Sequence, residues 1–374
     1  MTGTWQALAH QPAFVASTML LLNDGTVMCQ NEGASDWWKL TPDPYGSYIN
    51  GTWSSIANGP NTPEYYASAV LKDGRVFVAG GEYNNGDHVN LLAAEIYDPL
   101  SNSWSTISTP SGWSNIGDAP CCVLPDGRVL LGSMNDTKTA IYDPISNIWT
   151  AAANKDDSSS EETWTLLYDN TILVAECSNH PKAEKYLIES NKWVSAGSTP
   201  AGSDLAQSSS ASSNEIGPAI LMSDGRLFAI GASGHTAIYS PPVSSTQPGS
   251  WIRGPDFPAD SIGNLMQAFD APACLLPNGK VLCVVGPPLS SGWAGPPSSF
   301  FEFDGTTLNP ISNPSTYNTR TYEFRMLLLP TGQVLLSNGS SDIQVYTPDG
   351  MPDPSLLPQI TGSPSSVRPG QRYT

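Results

Sequence analysis

Six acidic residues stand at one recurring place in this chain. Glu64, Asp118, Glu161, Glu215, Asp270 and Glu323 each lie eight or nine residues before a short turn: Asp73-Gly74, Asp126-Gly127, Asp169-Asn170, Asp224-Gly225, Asn278-Gly279 and Thr331-Gly332. Acids make up 34 of 374 residues, so a carboxyl at this offset in six successive segments stands out from background. A seventh turn, Asp24-Gly25, has no acid there. Carboxyls gathered in one place raise one another's pKa unless a cation or solvent intervenes. Three kinds of chemistry follow. The six could ligate a hard cation such as calcium through oxygen. A pair about 5–9.5 Å apart could serve as acid and base in glycoside hydrolysis. Or they form a solvated rim that accepts hydrogen bonds from backbone amides. Tyr65, Tyr66, Trp113, Trp164 and Tyr322 flank the acids. Rings beside carboxyls suit stacking on a sugar or a cation, and packing between elements is the alternative use. His88, His180 and His235 fall in loops after apolar runs, as do Glu82, Tyr83, Asp136 and Trp293.

The elements that position these residues repeat. In residues 67–104 an apolar run ends at Asp73-Gly74, and a second, Val76–Ala79, ends at Gly80-Gly81. Ala94–Tyr97 follows, then a turn at Asp98-Pro99 and a strand opened by Trp104. Four short runs with turn chemistry between them read as a four-stranded antiparallel meander. One such sheet cannot bury both faces, so the unit must stack on copies of itself. The turn recurs seven times at about 50-residue spacing, and the pairs Tyr97/Trp104, Tyr142/Trp149, Tyr186/Trp193 and Tyr239/Trp251 recur with it. The seventh unit has no Trp strand of its own, but the chain begins Gly3-Thr4-Trp5, matching Gly51-Thr52-Trp53. Residues 3–8 are therefore expected to complete the last sheet and close a ring without free edges. In the sixth unit Leu308 stands where Trp is expected, and the first carries an insertion at 41–51.

This pattern resembles the kelch family of β-propellers. The expected fold is an all-β, seven-bladed kelch-type β-propeller over residues 1–350. Residues 351–374 are Pro-rich and read as a linker into a C-terminal Ig-like module, or as a tail. The chain also resembles the propeller domain of galactose oxidase-type copper radical oxidases, which carry Tyr-His copper ligands near inner-strand starts. In the corresponding segment, 320–332, Tyr322 is followed by Glu323, and no Tyr-His occurs anywhere. The resemblance therefore implies the fold without the copper chemistry.

Net charge is −18, which argues against nucleic acid and anionic membranes as partners. No run approaches the roughly 18 apolar residues of a membrane span. The first residues do not read as a signal peptide; the expected location is extracellular, with a cytoplasmic one as the alternative. The six cysteines are too scattered for a disulfide framework and read as buried small hydrophobes. The role of Cys121-Cys122 stays open. No GxSxG, HExxH or phosphate loop occurs.

The functional expectation is a monomeric binding module for carbohydrate or protein. Its ligand residues are Glu64, Tyr65, Trp113, Asp118, Glu161, Glu215, Asp270, Tyr322, Glu323, His88, His180 and His235. The six acids are the candidate metal ligands and calcium the candidate cofactor. The alternative is a carbohydrate-active enzyme, a hydrolase or metal-dependent oxidase relative, using the same carboxyls.

Overall fold

The computed structural model describes residues 3–206, 215–350 and Ser366. The expected linker or module at 351–374 lies outside the described residues, Ser366 apart. The described chain forms seven four-stranded antiparallel sheets and one short three-stranded sheet. Each four-stranded sheet is a meander and one blade, numbered 1 to 7 from the N-terminus. Innermost strands begin at Ala16, Ala67, Cys121, Thr165, Ala219, Ala273 and Arg325. The first and last are neighbours in space, so the blades form a ring.

Turn chemistry sets the meander. The turn between first and second strands places Gly25, Gly74, Gly127, Asn170, Gly225, Gly279 and Gly332 at positive φ, between 59° and 95°. Glycine adopts this region without a Cβ penalty, and asparagine tolerates it. The preceding acid or amide caps the turn: Asp73 Oδ1 accepts from the Arg75 amide at 3.0 Å and Asn278 Oδ1 from the Lys280 amide at 3.2 Å. Second strands such as Val76–Ala79 and Val129–Ser133 are buried throughout. They sit mid-sheet with a neighbouring blade on each face, which is why they read as unbroken apolar runs. The buried side chains cluster between successive blades, as Phe77 and Tyr142 do between blades 2 and 3. Adjacent residues of one strand serve opposite clusters: Cys121 packs toward blade 2 and Cys122 toward blade 4. All six cysteines are free.

The ring closes as the sequence implied. Strand Thr4–Ala7 pairs antiparallel with Gln344–Thr347 and completes blade 7. Trp5 lies opposite Tyr346, the same cross-strand pair as Tyr97 with Trp104 and Tyr142 with Trp149. Tyr346 donates to Glu302 Oε1 of blade 6 at 2.6 Å, and Lys280 reaches the other oxygen of Glu302 at 2.7 Å. This latch ties the closing blade to its neighbour. Tyr346→Phe is expected to destabilise the protein by about 1–3 kcal/mol, because it strips a hydrogen bond from a buried charged acceptor. Urea unfolding of the two proteins measures it.

Candidate functional site

In a meander blade the loops joining second to third strands, and those entering each innermost strand, share one face. On that face two adjoining cavities of about 310 and 170 Å³ open at the mouth of the central channel. They share Tyr65, Asp118 and Asp270. The smaller adds Glu82, Tyr83, Glu161, Glu215, Trp293 and Tyr322, and the larger adds Thr18, Tyr66, Thr163 and Arg325.

The six sequence-selected acids divide into two groups here. Asp118, Glu161, Glu215 and Asp270 converge with Glu82, while Glu323 lies with Glu32 around Arg325 and Glu64 stands between the two groups, its charge felt by both Glu32 and Glu82. Backbone geometry aims them. Among the described residues, nine other than glycine have positive φ; six are asparagines, and the remaining three are Tyr65, Glu161 and Asp270, at 52°, 54° and 43°. All three enter innermost strands at the mouth. Bulky residues held in this region are uncommon and cluster at functional sites. Blades 2 and 3 are also tied edge to edge here, the Gly81 amide donating to the Gly117 carbonyl at 2.9 Å, and within blade 2 the Glu82 amide donates to the Glu64 carbonyl at 2.9 Å. Gly80, at φ 79°, passes so close to Gly117 that any Cβ would overlap its carbonyl oxygen. A side chain at position 80 would therefore push blades 2 and 3 apart.

Three of these carboxyls, Asp118, Glu161 and Asp270, hold protons far above the ordinary range. Burial, then the charges of Glu82 and Glu215, push Asp118 up to about 7; solvent reaches it, but protein crowds it on most sides. Burial pushes Glu161 up to about 10, reinforced by the charge of Glu215 and a hydrogen bond to it. Asp270 is raised well above its usual value by burial, then by Glu215 and Asp118. Around neutral pH the cluster thus holds both O–H donors and carboxylate acceptors. The Arg325 guanidinium bonds to the carbonyls of Tyr322, at 2.5 Å, and Phe324, at 2.8 Å.

An aromatic arc faces these acids. Trp293 and Tyr322 have ring centroids 4.8 Å apart, Tyr322 and Tyr65 6.4 Å, Tyr65 and Tyr83 6.1 Å, and Tyr83 and His88 5.3 Å. Tyr83 and His88 sit on a small hairpin, Tyr83–Asn84 and Asp87–His88, which pairs with Pro63–Glu64 as the three-stranded sheet. His88 Nε2 is 3.4 Å from Glu82 Oε1.

Other selected residues lie elsewhere. Trp113 packs on the core between blades 2 and 3. Trp164 is buried between blades 3 and 4. His180 pairs with Asp204 at 2.6 Å and His235 with Asp256 at 2.9 Å, both outside the two cavities. Among the described residues no three His, Cys, Asp or Glu side chains are grouped so as to hold a metal ion, and the six acids do not form one ligand set. Glu82, Tyr83 and Trp293, which the sequence places in loops after apolar runs, line the site although they are not among the expected ligand residues. Arg325 was not singled out at all, since a first-strand arginine looks like any surface charge.

Residues 65–111, essentially blade 2, match the family model for the Kelch motif. Blade 2 is a kelch repeat. N-acetylneuraminate epimerase of Yersinia pestis (strain Pestoides F) is 28% identical over 103 residues, and the same enzyme of Yersinia pseudotuberculosis matches equally. The match covers 26% of this chain and spans a quarter of those relatives' length, 25%. Among solved structures, streptogramin B lyase superposes with a TM-score of 0.62 at 12% identity, covering 93% of this chain and 99% of that one. A fungal alcohol oxidase of the AA5 family, in complex with copper, gives 0.60 at 14%, covering 93% and 76%. At such identities these likenesses establish the propeller fold alone. No helix among the described residues is long and apolar enough to cross a membrane.

Proposed function

We propose that the channel mouth of this propeller binds a neutral saccharide. The observation that carries the reading is the pairing of an aromatic arc, Trp293–Tyr322–Tyr65–Tyr83, with a carboxyl cluster that is only partly ionised. A sugar ring offers a C–H face to aromatic rings and hydroxyls that both donate and accept. The mouth supplies the complement: ring faces on one wall, O–H donors and carboxylate acceptors on the other. The relatives named for an epimerase of N-acetylneuraminate lend a sugar-handling neighbour in sequence. That sugar is an anion, however, and five converging acids outnumber the guanidiniums of Arg325 and Arg320, the latter donating to the Tyr322 hydroxyl at 3.0 Å, which disfavours an anion here. Calcium has no part in the reading, for want of a ligand set among the described residues.

Recognition is favoured over hydrolysis by one feature. Glu161 and Glu215 share a hydrogen bond, which sets them closer than the roughly 5–9.5 Å that two-carboxyl glycoside hydrolysis uses. Copper radical oxidation lacks support, since Glu323 stands beside Tyr322 where that chemistry needs a histidine. The test is a glycan array probed with wild type and Trp293→Ala. Neutral glycans retained by wild type and lost by the variant are the expected result. Retention of no glycan, or of sialylated glycans alone, would reject the reading.

A further inference from the structure

Blade 4 departs from the repeat. In blades 1, 2, 3, 5 and 7 the outer-strand indole donates to a backbone carbonyl: Trp53 to His10 at 3.2 Å, Trp104 to Ala57 at 2.9 Å, Trp149 to Ser108 at 2.6 Å, Trp251 to Ala196 at 3.0 Å and Trp5 to Ser312 at 2.7 Å. The indole N–H of Trp193 in blade 4 is buried without a partner. Its ring instead faces the ammonium of Lys155, 5.6 Å from the centroid. Lys155 is fully buried. Its Nζ lies 2.5 Å from Glu162 Oε2 and 3.1 Å from Glu176 Oε2, both carboxyls also being sealed from solvent. Trp164 Nε1 donates to the same Glu162 oxygen at 3.3 Å. Glu184, on the third strand, accepts from the Asp156 amide at 3.2 Å. Glu162 and Glu176 also hydrogen-bond to each other, and burial, then the charge of Glu162, push Glu176 up to about 9. A buried charge network of this kind is a poor source of stability, since hydrophobic residues of the same volume often serve as well or better.

The network sits directly behind the mouth. Glu162 follows Glu161 in sequence, and Cys177 follows Glu176. The Cys177 thiol donates to the Glu161 carbonyl at 3.4 Å, and the Glu161 amide reaches the Asp118 carbonyl at 3.4 Å. Two neighbouring residue pairs are thus cross-connected, one pair of side chains by Lys155 and one backbone carbonyl by Cys177. Between them Glu161 is held at φ 54°. We infer that Lys155 is a positioning residue of the mouth: by drawing Glu162 and Glu176 together it fixes the left-handed backbone of Glu161, so that the Glu161 carboxyl meets Glu215. This gives the buried charges a task, and it rests on the mouth being the binding site.

The signs of two effects separate positioning from a plain charge effect. Removing the ammonium while the geometry stays fixed raises the midpoint of Glu161, because a nearby positive charge is lost. Releasing Glu161 from Glu215 and its buried setting lowers it. The experiment is a carbon-13 NMR pH titration of glutamate-carboxyl-labelled protein, with the Glu161 signal assigned by its absence in Glu161→Gln. In Lys155→Met the Glu161 midpoint is expected to fall by about 2 pH units, and Lys155→Arg to restore it. Affinity for an array-selected glycan falls at least about tenfold in the Met variant, about 1.4 kcal/mol. A folded Lys155→Met whose Glu161 midpoint is unmoved or raised overturns the inference. If that variant does not fold, Lys155→Gln, an uncharged donor, is read by the same criterion. A lowered midpoint in a protein whose wild type binds no glycan keeps the positioning role and removes the saccharide reading.

Discussion

Glu161→Gln is expected to stabilise the propeller by about 2 kcal/mol at pH 8 and to leave it nearly unchanged at pH 4.5. The folded protein raises the pKa of this carboxyl to about 10, through burial first and the Glu215 charge and hydrogen bond second. An acid whose folded pKa lies above its unfolded value binds more protons folded than unfolded. Stability therefore falls as pH rises from the unfolded value near 4.3 toward the folded one. Glutamine imitates the protonated form at every pH and removes that slope. The full shift at 1.36 kcal/mol per pH unit exceeds the figure given. Solvent at the mouth reduces it. Thermal melts of both proteins across pH 4.5–8 check the prediction. Parallel curves would show that Glu161 carries no proton that folding has to hold.

The second large effect concerns the arc. Trp293→Ala is expected to cut affinity for a bound neutral glycan by tenfold or more, about 1.4 kcal/mol or above. Trp293→Phe is expected to keep most of it. Trp293 leans on Phe269, with centroids 5.1 Å apart, and on Tyr322 at 4.8 Å. Truncation thus removes a stacking face and unsupports the neighbouring tyrosine, whereas phenylalanine keeps a ring in the same place. Melting curves of the two variants separate this loss from general unfolding. Calorimetric titration of each with the array-selected glycan gives the ratio.

Much of the architecture was legible because each blade repeats the same local demands. A left-handed residue after Asp73, Asp126 or Asp224 can be read from one glycine, and the Tyr–Trp cross-strand pair fixes register in every blade that has it. The closing strand was legible for the same reason, since Trp5 answers the tyrosine Tyr346. The site was legible only in part. Spacing located the acids at strand entrances but not their directions, which the positive φ of Glu161 and Asp270 decides. Consequently Glu323 joined a separate group around Arg325, with Glu64 between the two. Glu82 and Tyr83 entered the site through a hairpin too short to leave a periodic signal. Trp113 and Trp164 went to the core, which an aromatic near a strand end serves as readily as a ligand. The Lys155 network was invisible, since its members are scattered over residues 155–184 and look like ordinary surface charges until blade 4 buries them.

The claim that the mouth is a saccharide site is tested most directly by saturation-transfer NMR between the propeller and a neutral glycan. Wild type is expected to transfer saturation to the sugar ring protons, and Trp293→Ala, still folded, to transfer little. Equal transfer in both proteins would contradict the account, because the sugar would then be bound somewhere other than against the arc.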